Sequence, residues 1–136
     1  ILLETFQVLE EILVALEVKH TLHHCPVICC LACDDTRRLS DGTTLAVAFA
    51  TLHAAGADVV GVNCTVHPEG LPSLFARHTS EIPLAAFPSA GLQHELIPAA
   101  FARVGLALID RGIGLVGGCC GTTAAHIAAL AGALRD

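Results

Sequence analysis

Short apolar runs of strand length alternate along the whole chain with longer stretches of helical period, and this alternation limits the fold more than any other feature. It is the pattern of successive βα units around a parallel sheet, and five such units are legible. Residues 1–5 read as a strand. Val8, Leu9, Ile12, Leu13 and Leu16 then recur at helical spacing, with Glu10, Glu11 and Glu17 off the stripe. Residues 26–32 form the second strand, after which Ser40-Asp41-Gly42 offers turn and cap chemistry before a helix through Leu45, Val47, Ala48, Leu52 and Ala55, closed by Gly56. The third unit is a strand over 58–63 and a helix over 69–77. The fourth is a strand over 82–87 and a helix over 98–110, with Pro98 in its first turn and Gly112 as its stop. A last strand over 113–116 is broken by Gly117 and Gly118, and Thr122 or Thr123 caps an alanine-rich helix over 124–134.

No Ser/Gly linker, charge block or low-complexity segment divides the sequence, so 1–136 is expected to form one domain. Periodicity alone leaves two architectures open, an open doubly wound sheet and part of a closed barrel; a complete barrel needs roughly 250 residues. Gly112-Ile113-Gly114 precedes a strand instead of following one, so it reads as a turn and not a dinucleotide fingerprint. With 7 basic against 13 acidic residues, the net charge of −6 gives no footprint for nucleic acid. His53, Asp58, Pro88 and Asp110 interrupt the long apolar stretches, so no membrane span is expected. The opening Ile1-Leu2-Leu3 reads as a start inside a domain, and an open barrel would leave strand edges that favour self-association. Seven cysteines, an odd number, are too few for a disulfide-stapled scaffold and fit a reducing, cytoplasmic setting.

Chemistry gathers at the strand ends. Glu4 lies near the C-terminal end of the first strand, Cys64 directly after the third, and Cys119 with Cys120 directly after the fifth. In α/β folds those ends face one common site, so residues scattered over the sequence are expected to meet. Three thiolates suit zinc, and three protein ligands leave the fourth position open, as in sites that do chemistry. Adjacent residues on a regular strand point to opposite faces; Gly117, Gly118 and Gly121 supply the irregular backbone that could aim both Cys119 and Cys120 at one ion. Coordination would deprotonate a thiol that is otherwise mostly protonated at neutral pH. Glu4 reads either as an anionic partner for a substrate ammonium or as a solvated strand-end carboxylate.

Leu3-Glu4-Thr5-Phe6, Ser40-Asp41-Gly42, Gly56-Ala57-Asp58, Gly61-Val62-Asn63-Cys64, Pro88-Ser89-Ala90-Gly91 and Gly117-Gly118-Cys119-Cys120-Gly121-Thr122-Thr123 with His126-Ile127 resemble, in order, the homocysteine S-methyltransferase family. The resemblance implies a (β/α)8 TIM barrel of which this chain is the C-terminal part, strands 4 to 8. It implies Zn2+ held by Cys64, Cys119 and Cys120, Glu4 on the amino group of homocysteine, and methyl transfer to the homocysteine thiol giving methionine. Gly121-Thr122-Thr123 is most similar to the homocysteine domains of cobalamin-dependent methionine synthase or of the methylenetetrahydrofolate reductase fusion type. Methylcobalamin or methyltetrahydrofolate is then the implied methyl donor, and a further folate, cobalamin or reductase domain the implied neighbour. The sequence departs from the family at Ser89, where asparagine is usual, at Ala124, where proline is usual, in a short segment between Gly91 and Pro98, and in lacking the barrel's N-terminal units. A non-catalytic zinc-binding fragment or degenerate copy is the alternative reading.

Other polar features read as structure. Cys30-Leu31-Ala32-Cys33 has the spacing of a redox or zinc pair, with Cys29 beside it, but it falls on a strand and its exit, where buried thiols are expected; a redox role would need Cys30 and Cys33 close and accessible. His20, His23, His24 and Cys25 form a polar connection, with an adventitious surface metal site as the lesser alternative; Asp34 and Asp35 close a strand on the active face and read as solvated loop carboxylates ahead of substrate contacts; His67, His78 and His126 are assigned no role. Phe6, Phe49, Phe75, Phe87 and Phe101 are spread one per element, as core residues are.

Overall fold

A computed structural model of the chain describes residues 1–22, 24–64, 67–75, 81–91 and 96–135. His23, Arg77 and His78 lie outside the described residues, as does most of the short segment after Gly91. The elements run β1 (Leu2–Phe6), α1 (Leu9–Leu22), β2 (Ile28–Leu31), α2 (Leu45–Ala54), β3 (Val59–Asn63), α3 (Leu71–Leu74), β4 (Leu84–Phe87), α4 (Pro98–Ile109), β5 (Leu115–Val116) and α5 (Ala124–Ala133). All neighbouring strands pair in parallel, in the order β1-β2-β3-β4-β5. That order decides between the two architectures. A doubly wound sheet reverses its strand order at a switch point, whereas a barrel adds each strand beside the last. The chain is therefore an α/β structure of five consecutive units of a (β/α)8 barrel.

The two faces of the sheet differ as the pleat requires. Cys29, Leu31, Val60, Val62, Leu84 and Ala86 point to the helices and join Ile12, Leu16, Leu52 and Leu108 in the main core. Glu4, Cys30, Gly61, Asn63, Ala85 and Phe87 alternate with them and face the inner side. On that side Leu2 of β1 and Leu115 of β5, on the two edge strands, keep 43% and 39% of their surface exposed. A second cluster of Ala90, Phe101, Ala102 and Leu130 joins α4 to α5. Gly105 permits that approach, because a Cβ there would stand 2.5 Å from Leu130 Cδ1.

Boundaries move where local hydrogen bonding overrides periodicity. The helix expected over 69–77 is a 3-10 turn at Pro68–Gly70 followed by α3, and Phe75 is already extended. Pro68 and Pro72 remove two backbone donors, and Arg111 from after α4 donates to the carbonyls of Pro72 (3.0 Å) and Phe75 (2.9 Å), which satisfies the end of α3 from outside. Asp41 acts on a different helix from the one it precedes: its carboxylate accepts from Leu9 N at the start of α1 and from Thr43 N, while Thr44 caps α2. The Leu9 N–H and the Thr43 contacts hold the Asp41 carboxyl below the usual range.

Candidate metal centre

Parallel strands bring their C-terminal ends to one side of the sheet, and the local backbone at those ends is irregular. Register passes from Leu3↔Cys29 to Phe6↔Leu31, so β1 carries one more residue than β2 over that stretch. Thr5 is in the bulge with φ 66°, and Cys64, one residue past β3, has φ 72°. Left-handed backbone is unfavourable for a residue with a Cβ and most of all for a β-branched one, so both positions need support from their surroundings.

Asn63 supplies it. Its side chain is fully buried; Oδ1 accepts from Thr5 N at 2.9 Å, and Nδ2 donates to Thr5 Oγ1 at 2.6 Å and to Cys119 Sγ at 3.6 Å.

The three sulfurs of Cys64, Cys119 and Cys120 lie within 4.8 Å of one another. Cys64 Sγ donates to Cys120 Sγ at 3.7 Å, and the sulfurs of Cys119 and Cys120 are 4.0 Å apart. Thiolates at about 2.3 Å from a tetrahedral ion stand about 3.8 Å from each other, so the donor set fits zinc with small rotamer adjustments. Among the described residues no other group of three such side chains converges. Without a cation the cluster disfavours ionisation: burial, followed by hydrogen bonds with Cys120 and Cys119, pushes the Cys64 thiol up to about 12.

The adjacent pair reaches one point because it lies in a turn beyond β5, held by the segment that leaves β4. Cys119 N donates to Pro88 O at 3.0 Å; the carbonyl of Cys120 accepts from Ala90 N at 2.7 Å and from Ser89 Oγ at 3.0 Å. Gly121, at φ +73°, then turns the chain against Gly91, where a Cβ would stand 2.5 Å from Gly91 Cα.

Glu4 is on the inner face, opposite in direction to Leu3, and is exposed. Cys30, on β2, lies on the same inner face. Burial raises the Cys30 thiol well above its usual value and pushes Cys29 and Cys33 up to about 11. Cys30 and Cys33 keep 0% and 4% of their surface, so the pair lacks the access that a redox role needs. In the folded chain at pH 8, Cys29, Cys30 and Cys33 are expected to resist iodoacetamide until denaturant is added, while Cys25 reacts; mass spectrometry of the labelled peptides reads the order.

Asp34 and Asp35 are exposed, and Asp34 accepts from Thr36 N, Thr36 Oγ1 and Arg38 N within its own loop. The Arg38 backbone donor, then the Thr36 hydroxyl, hold its carboxyl below the usual range. His20 contacts Ala55 O at 3.2 Å, joining α1 to the end of α2.

Residues 1–134 match the profile of the family described as homocysteine S-methyltransferase. The chain belongs to that family. It is similar to the methionine synthases of Mycobacterium tuberculosis, 33% identical over 125 residues, and Mycobacterium leprae, 33% identical over 123 residues. These alignments cover 83% and 82% of this chain and 10% of each relative, so the chain spans about a tenth of the curated relatives it matches. The crystal structure of the homocysteine methyltransferase MmuM from Escherichia coli, in its apo form, superimposes with a TM-score of 0.78 at 27% identity. The superposition covers 97% of this chain and 48% of that one, so the chain spans about half of that structure.

In the sequence Asn63 is only a motif letter and Ser89 stands out as a departure near the metal, where a hydroxyl reaches less far than the usual amide; in the structure each positions a cysteine. His126, to which the sequence assigns no role, has a structural one. His126 Nδ1 accepts from Thr123 N at 3.1 Å at the start of α5, Nε2 reaches Leu96 O at 2.6 Å, and the ring stands edge-on to Phe101. Because a backbone N–H can only donate, Nδ1 is unprotonated and Nε2 carries the hydrogen. His126→Ala is expected to cost about 2 kcal/mol, one helix cap and one buried hydrogen bond, read as a lowered urea midpoint at unchanged slope.

Proposed function

We propose that this chain is the metal- and homocysteine-binding part of a cytoplasmic zinc-dependent homocysteine S-methyltransferase, with Cys64, Cys119 and Cys120 as the metal ligands and Glu4 as the partner of the substrate ammonium. The observation that carries the reading is the convergence of three sulfurs, from positions up to 56 apart in sequence, on the side of the sheet where the Glu4 strand ends. When bound, zinc supplies Lewis acidity that favours the thiolate form of a soft substrate. The chain's own residues orient that substrate. Glu4, exposed on the inner face, takes the ammonium; the glycine turn and Asn63 keep the three sulfurs on one side; the inner wall of Cys30, Ala85 and Phe87 excludes water beneath. In the transfer itself the substrate sulfur forms a bond to the methyl carbon, the donor's bond to that carbon breaks, and the thiol proton leaves.

The methyl donor is proposed to be methylcobalamin or methyltetrahydrofolate, in line with Gly121-Thr122-Thr123 and the likeness to methionine synthases, and further domains would carry it. The described helices include none long and apolar enough to cross a membrane. The test is homocysteine addition to the cobalt-loaded protein, followed by assay for methionine with each donor. A homocysteine-dependent change in the sulfur-to-cobalt absorption is expected, weakened in Glu4→Gln. Metal uptake with no response to homocysteine would instead support the non-catalytic zinc-binding fragment.

A further inference from the structure

We propose that Asn63 is a positioning residue of the metal centre, its Nδ2–H serving as the fixed hydrogen-bond donor to the Cys119 sulfur and so setting Cys119 apart from the other two ligands. The inference rests on the reading of the three cysteines as metal ligands.

The orientation of the amide follows from its neighbours. Thr5 N–H can only donate, and it lies 2.9 Å from the Asn63 side chain, so the oxygen must face it. The nitrogen is then turned toward Thr5 Oγ1 at 2.6 Å and Cys119 Sγ at 3.6 Å, one hydrogen for each. A flipped amide would set two donors against each other at Thr5 and withdraw the donor from the sulfur. Full burial of Asn63 removes water as a substitute partner. The three sulfurs are therefore not equivalent: Cys64 and Cys120 are 3.7 Å from each other, while Cys119 is the one that receives an amide hydrogen.

A donor aimed at a thiolate disperses its charge and resists its protonation, and such outer contacts commonly change metal affinity roughly 10- to 100-fold. Thr5 follows Glu4 directly, so the same amide links the strand that bears the substrate carboxylate to one metal ligand.

The sequence makes the test clean, because it contains a single asparagine and two glutamines, Gln7 and Gln93. In 15N-labelled protein loaded with 113Cd, one Asn63 side-chain amide proton is expected to move downfield and correlate with the metal, while Gln7 does not. Zinc affinity, measured by chelator competition, is expected to fall at least about 10-fold in Asn63→Asp, which keeps the shape and the acceptor but loses both hydrogens. It should stay within about 3-fold of wild type in Thr5→Ala, which removes one anchor and leaves the donor to sulfur in place. Asn63 protons unmoved by cadmium, or equal losses in the two variants, would overturn the proposal while leaving the metal centre standing. A wild-type protein that takes up neither zinc nor cadmium would overturn both.

Discussion

Gly121→Ala is expected to destabilise the chain by about 3 kcal/mol, from left-handed backbone and overpacking together, and to empty the metal site at the same time. The new Cβ would meet Gly91 Cα at 2.5 Å, Gly91 N at 2.6 Å and the Ala90 carbonyl carbon at 3.1 Å. These are backbone atoms, which cannot rotate away as a side-chain tip can. Relief has to come from separating the turn after β5 from the segment after β4, and that movement stretches the bonds from Ala90 N and Ser89 Oγ to the Cys120 carbonyl. Gly132→Ala is the matched control. It lies in α5, where an added Cβ meets nothing within 4 Å, so the helix should gain up to about 1 kcal/mol. Urea titration and zinc content of both variants check the pair; equal midpoints would show that the Gly91–Gly121 contact is not tight.

Cys64→Ala should abolish stoichiometric zinc binding, with affinity reduced more than about 100-fold, the upper end for residues that only touch a ligand. Two thiols from one turn would remain, and an adjacent pair holds an ion poorly without the third sulfur from β3. Alanine also retains the strained backbone at φ 72°, so lost affinity is not confused with relief of strain. Cys25→Ala, remote in the α1–β2 connection, serves as the control and should leave zinc content at that of wild type. Thiol counting with and without zinc provides a second reading, since three fewer groups should react in the loaded protein.

Much of this is legible in the amino-acid sequence. The βα alternation located all five strands because buried parallel strands are short apolar runs and the helices between them carry a stripe. Cys64, Cys119 and Cys120 could be placed together because parallel topology sends every strand end to the same side, whatever the sequence distance. The strand order, by contrast, is a property of the assembled sheet and has no local signature. What escaped the sequence were contacts made by ordinary residues across it. Asp41 reaches back to Leu9, Arg111 reaches Pro72 and Phe75, and His126 reaches Leu96; in each case the side chain serves an element other than its own. The bulge at Thr5 could not be foreseen either, since threonine is a poor choice for left-handed backbone and is held there by a tertiary contact with Asn63.

β5 is the shortest strand, two residues long and tied to β4 through Ala85↔Leu115 and Ala86↔Val116, yet the turn it leads into carries two of the three sulfurs. An ion there would act as a clasp between that weakly laddered strand and β3, so depletion of zinc should be felt first as local opening at the C-terminal end of the chain. Amide exchange in α5 would then rise well before the rest of the sheet lets go, and the cell's metal supply would govern how much of this segment is exposed to proteases.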